Sequence, residues 1–268
     1  MKKLICSAKQ LLETQCPLPF SVYTSVESQR IANVPIIKPI LVCVLDGCKK
    51  LGKSAEINCQ AGNFIFLSAS QRLEIQNIPL KTEYLALIIE FDYDDFKCLK
   101  PQQANTQKYF CGEIDSSLKT TLQQFVDWSA FAPVEMWSVR RQEILQLLYH
   151  SGFEQVSTFV ETPVLKQKLY DLIRANVADD LSVQLLASEL AMSESTLRRK
   201  LQSEGTSFQE IKNNVKLGYG LHLVQTSFYP IGHIAEACGY QSQSRFTDKF
   251  KQLFGLTPTE LRKTRLSE

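Results

Sequence analysis

The chain has 268 residues, of which 44% are hydrophobic and 22% charged, and a formal net charge of +2. That length suits a regulatory domain of roughly 150 residues beside a second unit, and the near-neutral balance excludes a polybasic packaging protein. Residues 164–268 hold 14 Lys and Arg against 11 Asp and Glu, and residues 1–163 hold 16 against 17. Affinity for nucleic acid therefore has to come from local basic faces in the C-terminal part, and should fall as salt rises.

Met1-Lys2-Lys3 ahead of Leu4-Ile5-Cys6 starts like a signal peptide, but Lys9 and Glu13 interrupt the apolar run. No stretch approaches 18 apolar residues, so neither secretion nor a membrane span is expected, and a cytoplasmic protein is. The segment from Ile36 to Leu45 is apolar and β-branched apart from Lys38 and Pro39, and predicts a strand. Asp46-Gly47 is a turn signal leading back into Lys49–Leu51. Further strands are expected at Ala55–Cys59, Asn63–Leu67, Leu73–Gln76 and Tyr84–Phe91, a spacing that points to a sandwich or barrel. Asp92, Asp94 and Asp95 follow as a solvated turn.

The eight cysteines (Cys6, Cys16, Cys43, Cys48, Cys59, Cys98, Cys111, Cys238) show no close paired spacing and have no neighbouring histidines. Reduced thiols are expected, with Cys43, Cys59 and Cys238 as small core side chains. The three histidines, His150, His222 and His233, all lie outside the strand region, so no metal chemistry and no cofactor are expected there. No Gly-rich phosphate loop, nucleophile elbow or paired-carboxylate frame is present, which argues against an enzyme.

Two helices are predicted over 114–128 and 134–149, broken at Ala132-Pro133. Leu118, Leu122 and Phe125 line one, and Trp137, Ile144, Leu147 and Leu148 line the other; the stripes pack either on the barrel or in a subunit interface. Glu154–Pro163 reads as a linker, which places a domain boundary near residue 163: domains of 1–163 and 164–268. Leu165, Leu169, Leu172 and Ile173 open the second domain.

Within that domain one helix-turn-helix pattern occurs twice. Leu185, Leu186, Ala187, Leu190 and Ala191 mark a short helix, Met192-Ser193 a turn, and Leu197 and Leu201 the inward side of a second helix. Ile231, Ile234, Ala235, Cys238 and Gly239 repeat the first helix, Tyr240–Ser242 the turn, and Phe246 and Phe250 the second. The second turn is one residue longer. Small residues at Ala187 and Ala235 permit close, steep helix packing, and Gly239 supplies the positive φ of a sharp turn. Between the copies, Phe208, Ile211, Val215, Leu221 and Val224 recur at helical spacing from Ser207 to Thr226, with Ser207 and Glu210 as a capping-box pair.

The second helix of each copy keeps a polar face for DNA. Ser195, Thr196, Arg198, Arg199 and Lys200 lie off the inward side of the first, and Gln243, Ser244, Arg245, Thr247, Lys249 and Lys251 off that of the second. Arg pairs bidentately with guanine and Gln with adenine, Ser and Thr serve either base, and Lys neutralises phosphate.

Lys216, Gly220, Leu223, Ile231, Ile234-Ala235, Gly239-Tyr240, Ser244, Phe246, Phe250-Lys251, Gly255, Thr257-Pro258 and Leu261-Arg262 stand at the spacing of a known signature. On these residues the chain resembles the AraC/XylS-type transcriptional regulators over roughly Leu165–Arg265. It departs from the pattern at Lys216 (usually Arg), Gly220 (usually Ala) and Asp248 (often basic), where pairing of Asp248 with Arg245 or Lys249 is the favoured expectation.

The resemblance implies two helix-turn-helix subdomains on one long helix, a small cupin-like jelly roll in front of them, and dimerisation through the helices 114–128 and 134–149. The fold class is thus α+β in two domains. The implied function is a sequence-specific regulator, an activator that engages RNA polymerase, with its two recognition helices in successive major grooves. Some relatives respond to fatty acids, and Lys38, interrupting an apolar strand at the barrel rim, is the candidate to hold the carboxylate of such an effector; the plain alternative is a strand-edge lysine in water. A ligand-independent dimeric regulator, or an antagonist that binds no DNA, are the other readings; Arg198, Arg199 and Arg245 speak against the latter.

Overall fold

The computed structural model describes residues 1–12, 17–69, 71–100, 108–159 and 165–265. The chain divides into two units, Met1–Val160 with Lys263–Glu268, and Glu161–Arg262. The boundary expected at residue 163 lies outside the described residues.

The first unit opens with α1 (Lys2–Leu12), which the sequence reading did not foresee. Its charges stay outside while Leu4 and Ala8, one turn apart, are fully buried. Nine strands follow among the described residues: β1 (Ser21–Ser25), β2 (Gln29–Ile36), β3 (Ile40–Asp46), β4 (Cys48–Leu51), β5 (Ile57–Gln60), β6 (Asn63–Leu67), β7 (Gln71–Ile78), β8 (Tyr84–Glu90) and β9 (Tyr109–Glu113). They form two antiparallel sheets, ordered β1-β8-β3-β6-β9 and β2-β7-β4-β5. This is the expected cupin-like sandwich.

The uninterrupted apolar run of β3 has a physical reason. Val42 and Val44 join Ile65, Leu67, Ile75 and Ala86 in a core between the sheets, while Leu41, Cys43 and Leu45 join Phe64, Phe66 and the helices on the outer face. With both faces covered, no position from Leu41 to Leu45 is left for a charged residue, and Asp46 stands at the strand's partly exposed end.

Two expectations for this region change. The single strand 36–45 is really two, β2 ending at Ile36 and β3 beginning at Ile40. Pro39 has no N–H for a ladder, and its carbonyl accepts from Phe91 N at 2.9 Å. At Asp46-Gly47 the turn is present, with Gly47 at φ +75 and its N–H donating to Asp46 Oδ1 at 2.7 Å. It makes no hairpin, because β3 and β4 belong to different sheets and the chain crosses between them there.

The helical part packs as α2 (Ser116–Ser129), a short 3-10 turn at Val134–Met136, and α3 (Trp137–His150). Asp115 caps α2 by accepting from Leu118 N at 2.7 Å. Leu118, Leu122, Phe125, Ile144 and Leu148 are buried in the outer core, whereas Trp137 and Leu147 are only half-buried and Leu145 takes a core place instead. The segment Glu154–Phe159, read as linker, is a 3-10 helix whose Val156 and Phe159 are buried in the same core.

Candidate nucleic-acid interface

The second unit comprises α4 (Leu165–Ala175), α5 (Val183–Glu189), α6 (Glu194–Ser203), α7 (Phe208–Thr226), α8 (Ile231–Ala237), α9 (Gln243–Phe254) and the start of α10 (Pro258–Lys263). Each helix-turn-helix is built from the bottom by an apolar seat and a serine cap. In the first, Leu186 and Ala187 of α5 and Leu197 and Leu201 of α6 are buried, and Ser193 starts α6 by accepting from Thr196 N at 3.2 Å. In the second, Ile234 and Ala235 of α8 meet Phe246, Phe250 and Phe254 of α9, and Ser242 accepts from Arg245 N at 3.3 Å. A serine at that position satisfies one of the otherwise unpaired N–H groups of a helix start.

The turns differ as expected. Four residues separate α5 from α6 and five separate α8 from α9. Both contain one left-handed residue, Ala191 at φ +52 and Gly239 at φ +70. Ala191 is therefore an exposed turn residue, not part of the inward face of α5, because its backbone has already left the helix. Leu185 too, read as inward, is 49% exposed; it sits a third of a turn away from Leu186.

Between the motifs runs α7, capped by Ser207, which accepts from Glu210 N at 3.2 Å. Thr206 Oγ1 donates to Glu210 Oε2 at 3.2 Å, tying the capping residues together. Ile211, Val215, Leu221 and Val224 are buried and Phe208 is half-buried. Gly220 is explained by packing. A Cβ there would lie 2.7 Å from the ring of Phe246, so the α9 aromatic occupies the space an alanine needs.

What the recognition helices leave in solvent decides what they can touch. On α6, Ser195, Arg198, Arg199 and Lys200 are exposed and Thr196 half-buried. Arg198 forms an ion pair with Glu194 at 2.7 Å, one turn back, with 58% of its side chain exposed. On α9, Gln243, Ser244, Arg245, Lys249 and Lys251 are exposed and Thr247 half-buried. Lys249 donates to Gln252 at 3.2 Å. The pairing favoured for Asp248 is not formed: among the described residues it has no ion-pair partner, and it is exposed on the side away from Phe246 and Phe250. By helical spacing Arg199 and Asp248 occupy the same place in the two copies, each two residues beyond the first inward side chain.

The sandwich has its own polar residues. Lys38 lies between strands and donates to Asp92 Oδ1 at 2.7 Å with 22% of its side chain exposed. Arg141 of α3 bridges Asp92 and Asp95 at 2.5 Å each, and Asp95 is 1% exposed. Asp92 and Asp95 thus belong to a partly buried ion-pair network and not to a solvated turn, while Asp94 is 81% exposed beside Lys97. Sequence reasoning passed over Lys49, which is 3% exposed between the sheets. Its Nζ donates to Asn77 Oδ1 at 2.8 Å and Tyr84 OH at 3.3 Å, and Asn77 Nδ2 donates to Gln29 Oε1 at 2.9 Å. Burial brings the Lys49 amine down to about 7. The only available signal was a lysine at a position where strand alternation with Leu51 calls for an inward side chain.

Cys43, Cys59 and Cys238 are buried, as expected of core thiols, and burial pushes the last two up to about 12. Among the described residues no helix is long and apolar enough to cross a membrane.

Two motifs of this construction, on one connecting helix, define a double helix-turn-helix DNA-binding domain. The family described as a helix-turn-helix domain matches residues 186–264. The chain is 34% identical over 98 residues to the HTH-type transcriptional regulator GadX of Escherichia coli K12, a match that takes in 37% of this chain and 36% of that regulator. It is 23% identical to the urease operon transcriptional activator of Escherichia coli over 88% of this chain and 87% of that one. Among solved structures, unsaturated fatty acid-bound ToxT from Vibrio cholerae matches with a TM-score of 0.64 at 16% identity, over 93% of this chain and 96% of ToxT; this likeness extends the shared fold to the sandwich. With these matches residues 186–264 are a helix-turn-helix domain of the AraC type, and the chain spans about a third of the length of the GadX regulator that it matches.

Proposed function

We propose that this protein is a sequence-specific DNA-binding transcriptional regulator, an activator, whose α6 and α9 enter successive major grooves of one duplex. The observation that carries the reading is the repeated construction of the two motifs. Each buries an apolar seat, and each leaves a polar, cation-bearing face of its second helix in solvent. The named relatives are transcriptional regulators, and an activator is among them. Residues Ser195, Thr196, Arg198, Arg199, Lys200, Gln243, Ser244, Arg245, Thr247, Lys249 and Lys251 are the proposed contacts. Selection from a random duplex pool by the full chain, then hydroxyl-radical footprinting, tests this. Protection of two patches on one side of the duplex is expected; enrichment of no sequence at low salt would end the proposal.

Self-association through 114–128 and 134–149 is part of the same reading. Phe131, Val134 and Val139 are 76%, 58% and 53% exposed around the junction of α2 and α3, apolar surface that such a contact would cover. Sedimentation equilibrium should show a dimer that Phe131→Asp weakens.

For control by a small molecule, ToxT carries a bound unsaturated fatty acid, and the sandwich here offers two lysine amines for such a carboxylate, at Lys38 and Lys49. Lys38 already holds Asp92, so an effector there has to displace a carboxylate of the chain itself. Lys49 faces the inter-sheet core with neutral oxygen partners. Thermal stabilisation by palmitoleate that survives Lys38→Ala and is lost in Lys49→Met would assign the site to Lys49, and the reverse would assign it to Lys38.

A further inference from the structure

The linker helix α7 sends two lysines, one turn apart, towards the two motifs. Lys212 donates from Nζ to Asp180 Oδ1 at 2.5 Å and to the Leu181 carbonyl at 2.9 Å, directly ahead of Ser182, the cap of α5. Lys216 lies one turn further along the same side of α7. It is 5% exposed, and its Nζ donates to the Gly239 carbonyl at 3.4 Å, in the turn between α8 and α9.

A third segment meets them at the same point. A Cβ placed on Gly239 would stand 2.4 Å from Lys216 Nζ and 2.4 Å from the Ala178 carbonyl, which belongs to the loop after α4. One buried ammonium therefore lies where the first subdomain's loop, the linker helix and the second turn converge. Burial works against its charge and pushes the amine below its ordinary value. For filling space alone, a methionine would serve there without that penalty. What the ammonium adds is a donor aimed at a main-chain carbonyl, which ties down the turn itself and not one of its side chains.

We propose that Lys216 is a positioning residue that locks the second turn to the linker helix and so sets the half-site spacing the two recognition helices accept. It touches no DNA. The inference rests on the DNA-binding reading above and adds to it a determinant of spacing. Two linked modules gain affinity only when both can engage at once, and a stiff link concentrates that gain on one spacing. Loosening the lock should spread it over several spacings while leaving each module's own contact unchanged.

The test uses the full chain and the duplex that it selects from a random pool. Companion duplexes carry one or two base pairs added or removed between the half-sites, or one half-site scrambled. Lys216→Met should lose about tenfold on the selected duplex, bind the scrambled duplex as the wild type does, and discriminate less among spacings. Lys216→Arg, which keeps a cationic donor of similar reach, should restore the preference. The proposal is overturned if Lys216→Met keeps the wild-type spacing preference, if it loses equally on intact and scrambled duplexes, or if arginine does not rescue. Should Lys216→Met not melt cooperatively, Lys212→Met probes the other anchor, and an unaltered spacing preference there overturns the proposal as well. Failure of the wild type to enrich any sequence refutes the DNA-binding reading and this inference with it; loss of the spacing effect alone refutes only the latter.

Discussion

The two helix-turn-helix motifs carry one plan in two chemistries. The first seats its recognition helix with leucines, Leu197 and Leu201, and makes its turn with alanine in a left-handed conformation. The second uses Phe246, Phe250 and Phe254, whose rings pack with centroids 5.5 and 4.6 Å apart, and makes its turn with glycine. Aromatic rings reach farther from the helix, and that reach is what removes the side chain from Gly220 on α7. Each motif is thus a matched set, and residues cannot be exchanged between them one at a time. The outward faces differ as well, with Arg199 at the place that Asp248 takes in the second copy.

The strongest way to break the comparison is through the seats. Phe250→Ala should cost about 4 kcal/mol and Leu201→Ala about 3, since the larger ring leaves the larger cavity; denaturant titration of the full chain, following the second unit's transition, would show the order. Equal losses would mean that the second motif collapses around its cavity and the aromatic seat is not special. Next come the turns. Gly239→Ala adds left-handed strain to a methyl directed at the Ala178 carbonyl, a total of about 3 kcal/mol, measurable in the same titration.

At the outward faces, Arg199→Ala should weaken binding to the selected duplex by about 2 kcal/mol. Asp248→Ala should relax the choice at one base pair and raise affinity for all duplexes by less than about 1 kcal/mol, since an acceptor that repels phosphate has been removed. Competition titrations at two salt concentrations separate the two effects; parallel behaviour of both variants would show that the faces dock alike. The smallest change sharpens the turn comparison: Ala191→Gly should stabilise the first motif by about 0.5 kcal/mol, relieving at this exposed site the strain that glycine already spares the second.

Much of the second unit was legible because its information is local. The cap at Ser207, the periodic buried positions of α7 and the one-residue difference between turns all follow from neighbours in the chain, whereas Ser193 and Ser242, read only as turn residues, prove to be the caps of α6 and α9. The sandwich was legible as strands and not as sheets. Asp46-Gly47 looks like a hairpin because the local signal marks only a reversal; which sheet receives the next strand depends on pairing partners far along the chain.

The sequence by itself determined that two similar reading units follow a β-rich part, because burial period, caps and turn residues are imposed within a few positions of the backbone. Tertiary structure alone decided which polar groups are left to act. It handed Lys38 to Asp92 and left Asp248 without an ion-pair partner among the described residues. It also enclosed Lys49 between the sheets and brought Lys216 to the Gly239 carbonyl. A charge's partner is set by distance in space, and the separations of 54 residues for Lys38 and Asp92 and 23 for Lys216 and Gly239 carry no trace in the local pattern.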